Sequence, residues 1–238
     1  MIKQLFNNYL ARILLFILLI LGMAFFSYIP MYLFNFDIAN FDTTYKVIYL
    51  LLCDISYILV VYFLFHKIIN KNFIDYFKKF STNFEESFKY YFIGLLVMII
   101  SNLIITLFFS EATAGNEETI RLYIDNYPLY MIFSVSIYAP FIEEMIFRKS
   151  IKDIFLVKYN NKITKYLYIL TSGLIFGGMH LLGQITNPLD WLYLIPYTSL
   201  GIAFAALYYK TDNIFSTISI HCLHNTFTVL LYLTTGGI

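Results

Sequence analysis

Long apolar stretches separated by short charged segments dominate the chain. Seven of them are of bilayer-crossing length, at about residues 9–30, 46–66, 90–109, 128–148, 166–183, 191–209 and 214–234. A hydrocarbon core takes about 20 mainly apolar residues of helix. None of the stretches shows the period-two alternation of a membrane barrel strand, so helices are the structure left that satisfies its own backbone in lipid. The pattern predicts an all-α fold: a polytopic transmembrane helix bundle of about seven spans. The first run continues past the length of a signal-peptide core with no small-residue cleavage site after it, and reads as an uncleaved first span.

The segments between the runs alternate in charge. Lys3 and Arg12 precede or enter the first run, and Asp37 and Asp42 follow it. The second connection carries Lys67, Lys71, Lys78, Lys79 and Lys89. The third carries Glu111, Glu117, Glu118 and Asp125 against Arg121. The fourth is basic again, with Arg148, Lys149, Lys152, Lys158, Lys162 and Lys165; the fifth has Asp190 and the sixth Lys210. By the positive-inside rule the N-terminus is cytoplasmic and the C-terminus outside. Segment 67–89 interleaves Phe73, Tyr76, Phe77, Phe80, Phe84 and Phe88 with its charges, a spacing that predicts an amphipathic helix on the inner leaflet. No repeat or linker divides the chain. It reads as one membrane domain over 1–238, with three accessory helices in 1–110 and a four-helix core in 128–234.

Composition agrees with this picture. Of 238 residues, 60% are hydrophobic and 13% charged, against about 45–50% and 25% in soluble domains. One soluble core of this size could not hide that surface. A net charge of +1 provides no field for nucleic acid, and the lipid bilayer is the expected surrounding. The two cysteines, Cys53 and Cys222, lie far apart in apolar runs and form neither a disulfide framework nor a CxxC motif.

Ionisable groups deep in a bilayer cost about 2.5–3.5 kcal/mol each on insertion scales, which marks them as functional candidates. They concentrate in three places. In Glu143-Glu144-Met145-Ile146-Phe147-Arg148, two adjacent carboxylates point about 100° apart on a helix. Glu144 and Arg148 are four residues apart and can pair on one face, leaving Glu143 free. Gly173-Leu174-Ile175-Phe176-Gly177 is a GxxxG step for close helix packing, and His180 follows it. His221 and Asn225 share a face of the last run, with His224 on its flank. Asp54 is the other acid inside a span, has no evident partner, and reads as structural.

Depth tests whether the three places meet. Counted from the cytoplasmic boundary at about 1.5 Å per residue, Glu143 lies about 13 Å deep, His180 about 22 Å, His221 about 12 Å and Asn225 about 18 Å. All four fall in one slab, expected to be reached from the cytoplasm.

A carboxylate base, two histidines and an amide suit hydrolysis of a peptide bond in a peptide or protein substrate at the membrane. Glu143 and His180 could activate water, and His221 and Asn225 could donate to the oxyanion. A zinc ion held by Glu143, His180 and His221 is the other version, and the residues alone leave the metal undecided. No HExxH or GxSxG is present. Two readings without peptidase chemistry stand beside this one: a non-catalytic membrane immunity or regulatory partner, and a transporter using the charges as a proton relay.

The three motifs together, Glu143-Glu144-x-x-x-Arg148, Phe176-x-x-x-His180 and His221-x-x-x-Asn225, resemble those of the CAAX protease and bacteriocin-processing family (CPBP, also called Abi), to which the type II CAAX prenyl endopeptidases are related. The resemblance covers about residues 128–228. It implies an intramembrane peptidase of the cell membrane, often termed a metalloprotease, opening to the cytoplasm. It makes Glu143, His180, His221 and Asn225 the catalytic residues and Glu144 and Arg148 their supports. It implies substrates such as a bacteriocin leader, a signalling-peptide precursor or a toxin. His224 is assigned no role.

Overall fold

The computed structural model describes residues 8–108, 115–157, 160–185 and 187–236. Lys3, Glu111 and Lys158, used above to orient the chain, lie outside the described residues. Among those described, all regular structure is helical. In chain order the helices are α1 (Tyr9–Phe25), α2 (Tyr28–Phe34), α3 (Thr43–Lys78), α4 (Phe80–Phe108), α5 (Gly115–Asn126), α6 (Pro128–Leu156), α7 (Lys162–Leu181), α8 (Leu194–Thr211) and α9 (Ile214–Thr235). A 3-10 turn, Pro188–Tyr193, leads into α8.

Five helices are long and apolar enough to cross a membrane: α3, α4, α6, α9, and α8 with its 3-10 turn. The first expected span is a bent pair, α1 and α2 meeting at 70°, and counting it as one gives six. The expected span at 166–183 is the 20-residue helix α7, which is not among them. The all-α polytopic bundle is therefore observed, with five or six qualifying spans where the apolar runs predicted seven. Two lysines in the first turn of α7, Lys162 and Lys165, and its glycines dilute its hydropathy.

Segment 67–89 is helical but is not a helix of its own. α3 runs 36 residues without a break through Lys78, and α4 begins at Phe80. One face of this extension docks on α9. The buried Asn72 accepts the Ile214 N–H at 2.9 Å on its side-chain oxygen, and its carbonyl accepts from Asn213 Nδ2 at 2.9 Å. The Tyr76 hydroxyl lies 2.8 Å from Ser219 Oγ. Asn72 thus satisfies a backbone donor that the start of α9 would leave open. The remaining aromatics, Phe73, Phe77, Phe80 and Phe88, form an exposed ladder.

α7 and α8 pack tightly because both carry glycine at the contact. A Cβ on Gly173 would lie 2.9 Å from the Ile202 backbone nitrogen, and one on Gly177 would lie 2.9 Å from that of Thr198. Gly201 returns the contact, its Cβ position falling 2.9 Å from the Gly173 Cα. The GxxxG step acts as predicted. A buried core then links α1, α3 and α6 to α9 through Leu19, Tyr57, Val61, Ile142, Phe176 and Ile218.

Gly177→Ala is expected to destabilise the protein by about 1–3 kcal/mol, because the clash is with backbone and α7 and α8 must separate. Gly178→Ala, whose added Cβ meets nothing within 4 Å, is expected to be neutral or stabilising. Thermal unfolding of the detergent-solubilised variants checks the contrast.

Candidate active site

The site is built on α6, which is not a regular α-helix. Ser134–Tyr138 and Glu144–Ser150 are π-helical, with Ala139–Glu143 between them. In the first π turn the Ala139 N–H bonds the carbonyl five residues back, Ser134. In the same register the donor for Val135 would be residue 140, a proline with no N–H. That carbonyl is satisfied from another helix, accepting from Asn225 Nδ2 on α9 at 2.8 Å. Asn225 therefore has one N–H engaged on the backbone of α6 and one left for the site.

Glu144 and Arg148 are completely buried. Arg148 Nε donates to Glu144 Oε2 at 3.0 Å, and Nη1 donates to Ser172 Oγ at 3.2 Å. The Ser172 hydroxyl donates to the Phe147 carbonyl at 2.7 Å. The guanidinium carbon lies 4.5 Å from the centre of the Phe176 ring and 5.7 Å from that of Phe204. The pair predicted from i, i+4 spacing is thus present, ringed by aromatic faces that favour a desolvated cation.

The other oxygen of Glu144 orients His221. His221 Nδ1 lies 2.9 Å from Glu144 Oε1, and Nε2 lies 3.7 Å from Glu143 Oε2. An ionised carboxylate only accepts, so Nδ1 carries a proton, and Nε2 faces Glu143. Glu143 Oε2 is buried and has no hydrogen-bond partner among the described residues. His180 reaches the site from α7. Its Nδ1 donates to the Phe176 carbonyl at 2.9 Å, leaving Nε2 as its acceptor. The ring is held between Tyr197, stacked at 4.8 Å, and Phe176 at 4.5 Å.

Glu143, His180, His221 and Asn225 line one cavity of about 600 Å³. Glu144 and Arg148 lie behind it. His224, given no role above, also lines the cavity, its Nδ1 3.1 Å from the hydroxyl of Tyr91 on α4. Tyr91, Tyr197 and Ser172 were not singled out in the sequence, since hydroxyls among so many aromatics and polar helix residues carry no distinguishing spacing. Asp54 is not isolated: it is buried facing the hydroxyls of Tyr130 and Ser134, at the start of the first π turn.

Among the described residues no three His, Cys, Asp or Glu side chains converge so as to hold a metal ion. Of the candidates Glu143, His180 and His221, both histidines engage Nδ1, on Glu144 and on the Phe176 carbonyl, which leaves Nε2 of each for the cavity.

The cavity reaches one end of the bundle. It extends from His221 along α9 to Tyr232 and Thr235, and past Glu117 and Arg121 of α5. Those residues belong to the end of the bundle that charge alternation assigns to the outside.

Fold and site together define a polytopic helical membrane protein with a buried carboxylate–histidine centre. Residues 125–227 match the family model described as Type II CAAX prenyl endopeptidase Rce1-like. YdiL of Bacillus subtilis (strain 168), provisionally named a membrane peptidase, is 36% identical over 118 residues, 50% of this chain and 43% of that protein. The membrane-embedded CAAX protease MroQ of Staphylococcus aureus (strain USA300) is 30% identical over 138 residues, 57% of this chain and 52% of MroQ. The UPF0177 protein YvdC of Lactococcus lactis subsp. lactis (strain IL1403) is 26% identical over 138 residues, 58% of this chain and 49% of YvdC. The chain spans about half the length of the curated relatives it matches. No solved structure matches it. The segment that carries the three motifs is thus similar to the CAAX prenyl endopeptidases and to bacterial membrane peptidases.

Two stability tests follow from the geometry. Arg148→Ala leaves Glu144 buried and unpaired, and is expected to cost about 3–5 kcal/mol; adding Glu144→Leu is expected to recover most of it. Asn225→Ala strips the Val135 carbonyl of its donor, at a cost of about 1–3 kcal/mol. Pro140→Ala restores an N–H at the position that can reach that carbonyl, so the double variant is expected to be more stable than Asn225→Ala alone. Unfolding in detergent measures both pairs.

Proposed function

We propose that the protein is an intramembrane endopeptidase that hydrolyses a peptide bond in a membrane-associated peptide or protein by Glu143-activated water. The observation that carries this reading is the convergence of Glu143, His180, His221 and Asn225 on one cavity, with Glu143 Oε2 buried and unpartnered there. The family match and the names of YdiL and MroQ support a peptidase over a regulator or transporter. The division of the chain into a four-helix core, α6 to α9, and flanking helices is part of the same proposal.

In this reading Glu143 takes a proton from a water molecule held between it and His180 Nε2. The hydroxide oxygen attacks the substrate carbonyl carbon, and the carbonyl π pair moves onto oxygen. The free N–H of Asn225 and a protonated His221 Nε2 donate to that oxyanion. When the intermediate collapses, the C–N bond breaks and the proton held by Glu143 passes to the leaving amine. Glu144 fixes His221 with Nε2 towards the cavity, and Arg148 fixes Glu144. Neither touches the substrate. No step runs through a metal.

Glu143→Ala and His180→Ala proteins are expected to insert and fold but to lose about 10²–10⁴-fold of the cleavage rate. Comparative peptide profiling of wild-type and Glu143→Ala cells identifies the substrate as the precursor that accumulates. Unchanged profiles in both variants, with normal protein levels, would sink the peptidase reading.

A further inference from the structure

We infer that the cavity opens on the outer side of the membrane and admits an unfolded peptide segment from there. The substrate part of this inference rests on the peptidase reading; the direction does not.

Every helix that lines the cavity does so with the same half. α4 contributes Asn102 and Thr106, near its C-terminal end, and α9 contributes the run from His221 to Thr235. α6 contributes nothing beyond Glu143, and α8 nothing beyond Phe204. Followed along the chain, these are the halves nearest the acidic connection that holds α5 and nearest the C-terminus. The other end is packed shut. Phe147, Arg148, Tyr168, Tyr208, Ile214 and Ser216 are all 0–1% exposed behind the site. A second cavity of about 440 Å³ at that end, lined by Lys149, Lys152 and Asp212, shares no residue with the first.

The closed end is the basic one. Lys149, Lys152, Lys162, Lys165 and Lys210 lie there, together with the lysines of the α3–α4 junction. At the open end α5 carries Glu117, Glu118 and Asp125, with Arg121 paired to Glu117 at 2.6 Å. Positive charge stays in the cytoplasm, so the mouth faces out. α5 is held at that mouth by Asp125, whose two oxygens lie 2.9 and 3.0 Å from the Tyr232 hydroxyl of α9.

The length of the passage constrains what can reach Glu143. From His221 to Thr235 is about 21 Å along α9 at 1.5 Å per residue. An extended peptide covers about 3.3 Å per residue, so about six unfolded residues must separate the scissile bond from any folded part of the substrate. Asn102 and Thr106 on one wall and Thr228 on the other offer hydrogen bonds to the backbone of such a segment. The substrate class is an exposed tail or linker on the outer face, not a folded domain.

Cysteine accessibility tests the direction on the full-length protein in its membrane. In a Cys53→Ala/Cys222→Ala background, Thr228→Cys and Asn102→Cys probe opposite walls of the cavity. Asp212→Cys, at a residue whose side chain is 84% exposed, probes the basic end. A charged, membrane-impermeant maleimide is added to intact cells and, separately, to inverted vesicles. Both wall positions are expected to label at least tenfold faster in intact cells, and Asp212→Cys at least tenfold faster in inverted vesicles. Wall positions that label faster in inverted vesicles, or from neither side, overturn the inference. Labelling does not depend on catalysis. Failure to find a cleaved peptide would therefore count against the peptidase reading and leave the direction standing, and reversed labelling would do the opposite.

Discussion

Taking a carboxylate and a guanidinium out of water together costs several kcal/mol per ion, and their attraction repays it only if every remaining donor and acceptor finds a partner. Glu144 and Arg148 come close to that condition. Glu144 uses one oxygen for Arg148 and the other for His221. Arg148 adds Ser172 and the faces of Phe176 and Phe204, and only Nη2 stays without a hydrogen bond among the described residues. The pair therefore cannot move without disturbing α6, α7, α8 and α9 at once. It fixes the histidine that faces Glu143, and it ties α7 to α6 through Ser172 and Phe147. The close α7–α8 contact at Gly173, Gly177 and Gly201 is what brings Phe176 and Phe204 near enough to enclose it.

The π turns of α6 explain how two adjacent glutamates serve opposite purposes. Extra residues in a helical turn shift the faces on which side chains emerge, and such turns gather at functional sites. Here Glu143 closes the regular segment and Glu144 opens the second π turn. One carboxylate lines the cavity while its neighbour is sealed behind it. The first π turn leaves the Val135 carbonyl without a donor because position 140 is proline, and Asn225 fills the gap. An amide at this place on α9 therefore has a backbone role as well as any role towards substrate. The buried Asp54 faces Tyr130 and Ser134 at the entrance to the same turn.

Periodicity and spacing made the local features readable in the sequence. The Glu144–Arg148 pair, the GxxxG contact and the shared face of His221 and Asn225 are all relations within one helix, set by 3.6 residues per turn. Long-range features were out of reach. Nothing in the spacing shows that His221 turns its Nδ1 to Glu144, that Tyr91 meets His224, or that Asn225 reaches a carbonyl freed by Pro140. Segment 67–89 read as a separate surface helix because its charges interrupt the apolar run. The backbone continues through them, since lysines are good helix formers and Asn72 and Tyr76 find partners on α9. Which end of the bundle the cavity reaches was out of reach for a related reason. A depth counted along single helices says where a residue lies but not which end of the bundle is filled.

The one-ended cavity bears on how the proposed hydrolysis could work inside a bilayer. In the proposed reaction water and substrate would enter by the same cavity, because the opposite end is sealed by large side chains with almost no exposure. A bound peptide segment would displace most of the water it finds. What remains would sit at the deep end, where Glu143 Oε2 and His180 Nε2 face the cavity among aromatic and aliphatic walls. A folded substrate would block the mouth without reaching that end, whereas an extended one leaves its scissile bond beside the retained water. Selectivity in such a site comes first from the ability of the substrate to unfold over the length of the passage, and only then from the side chains that flank the bond.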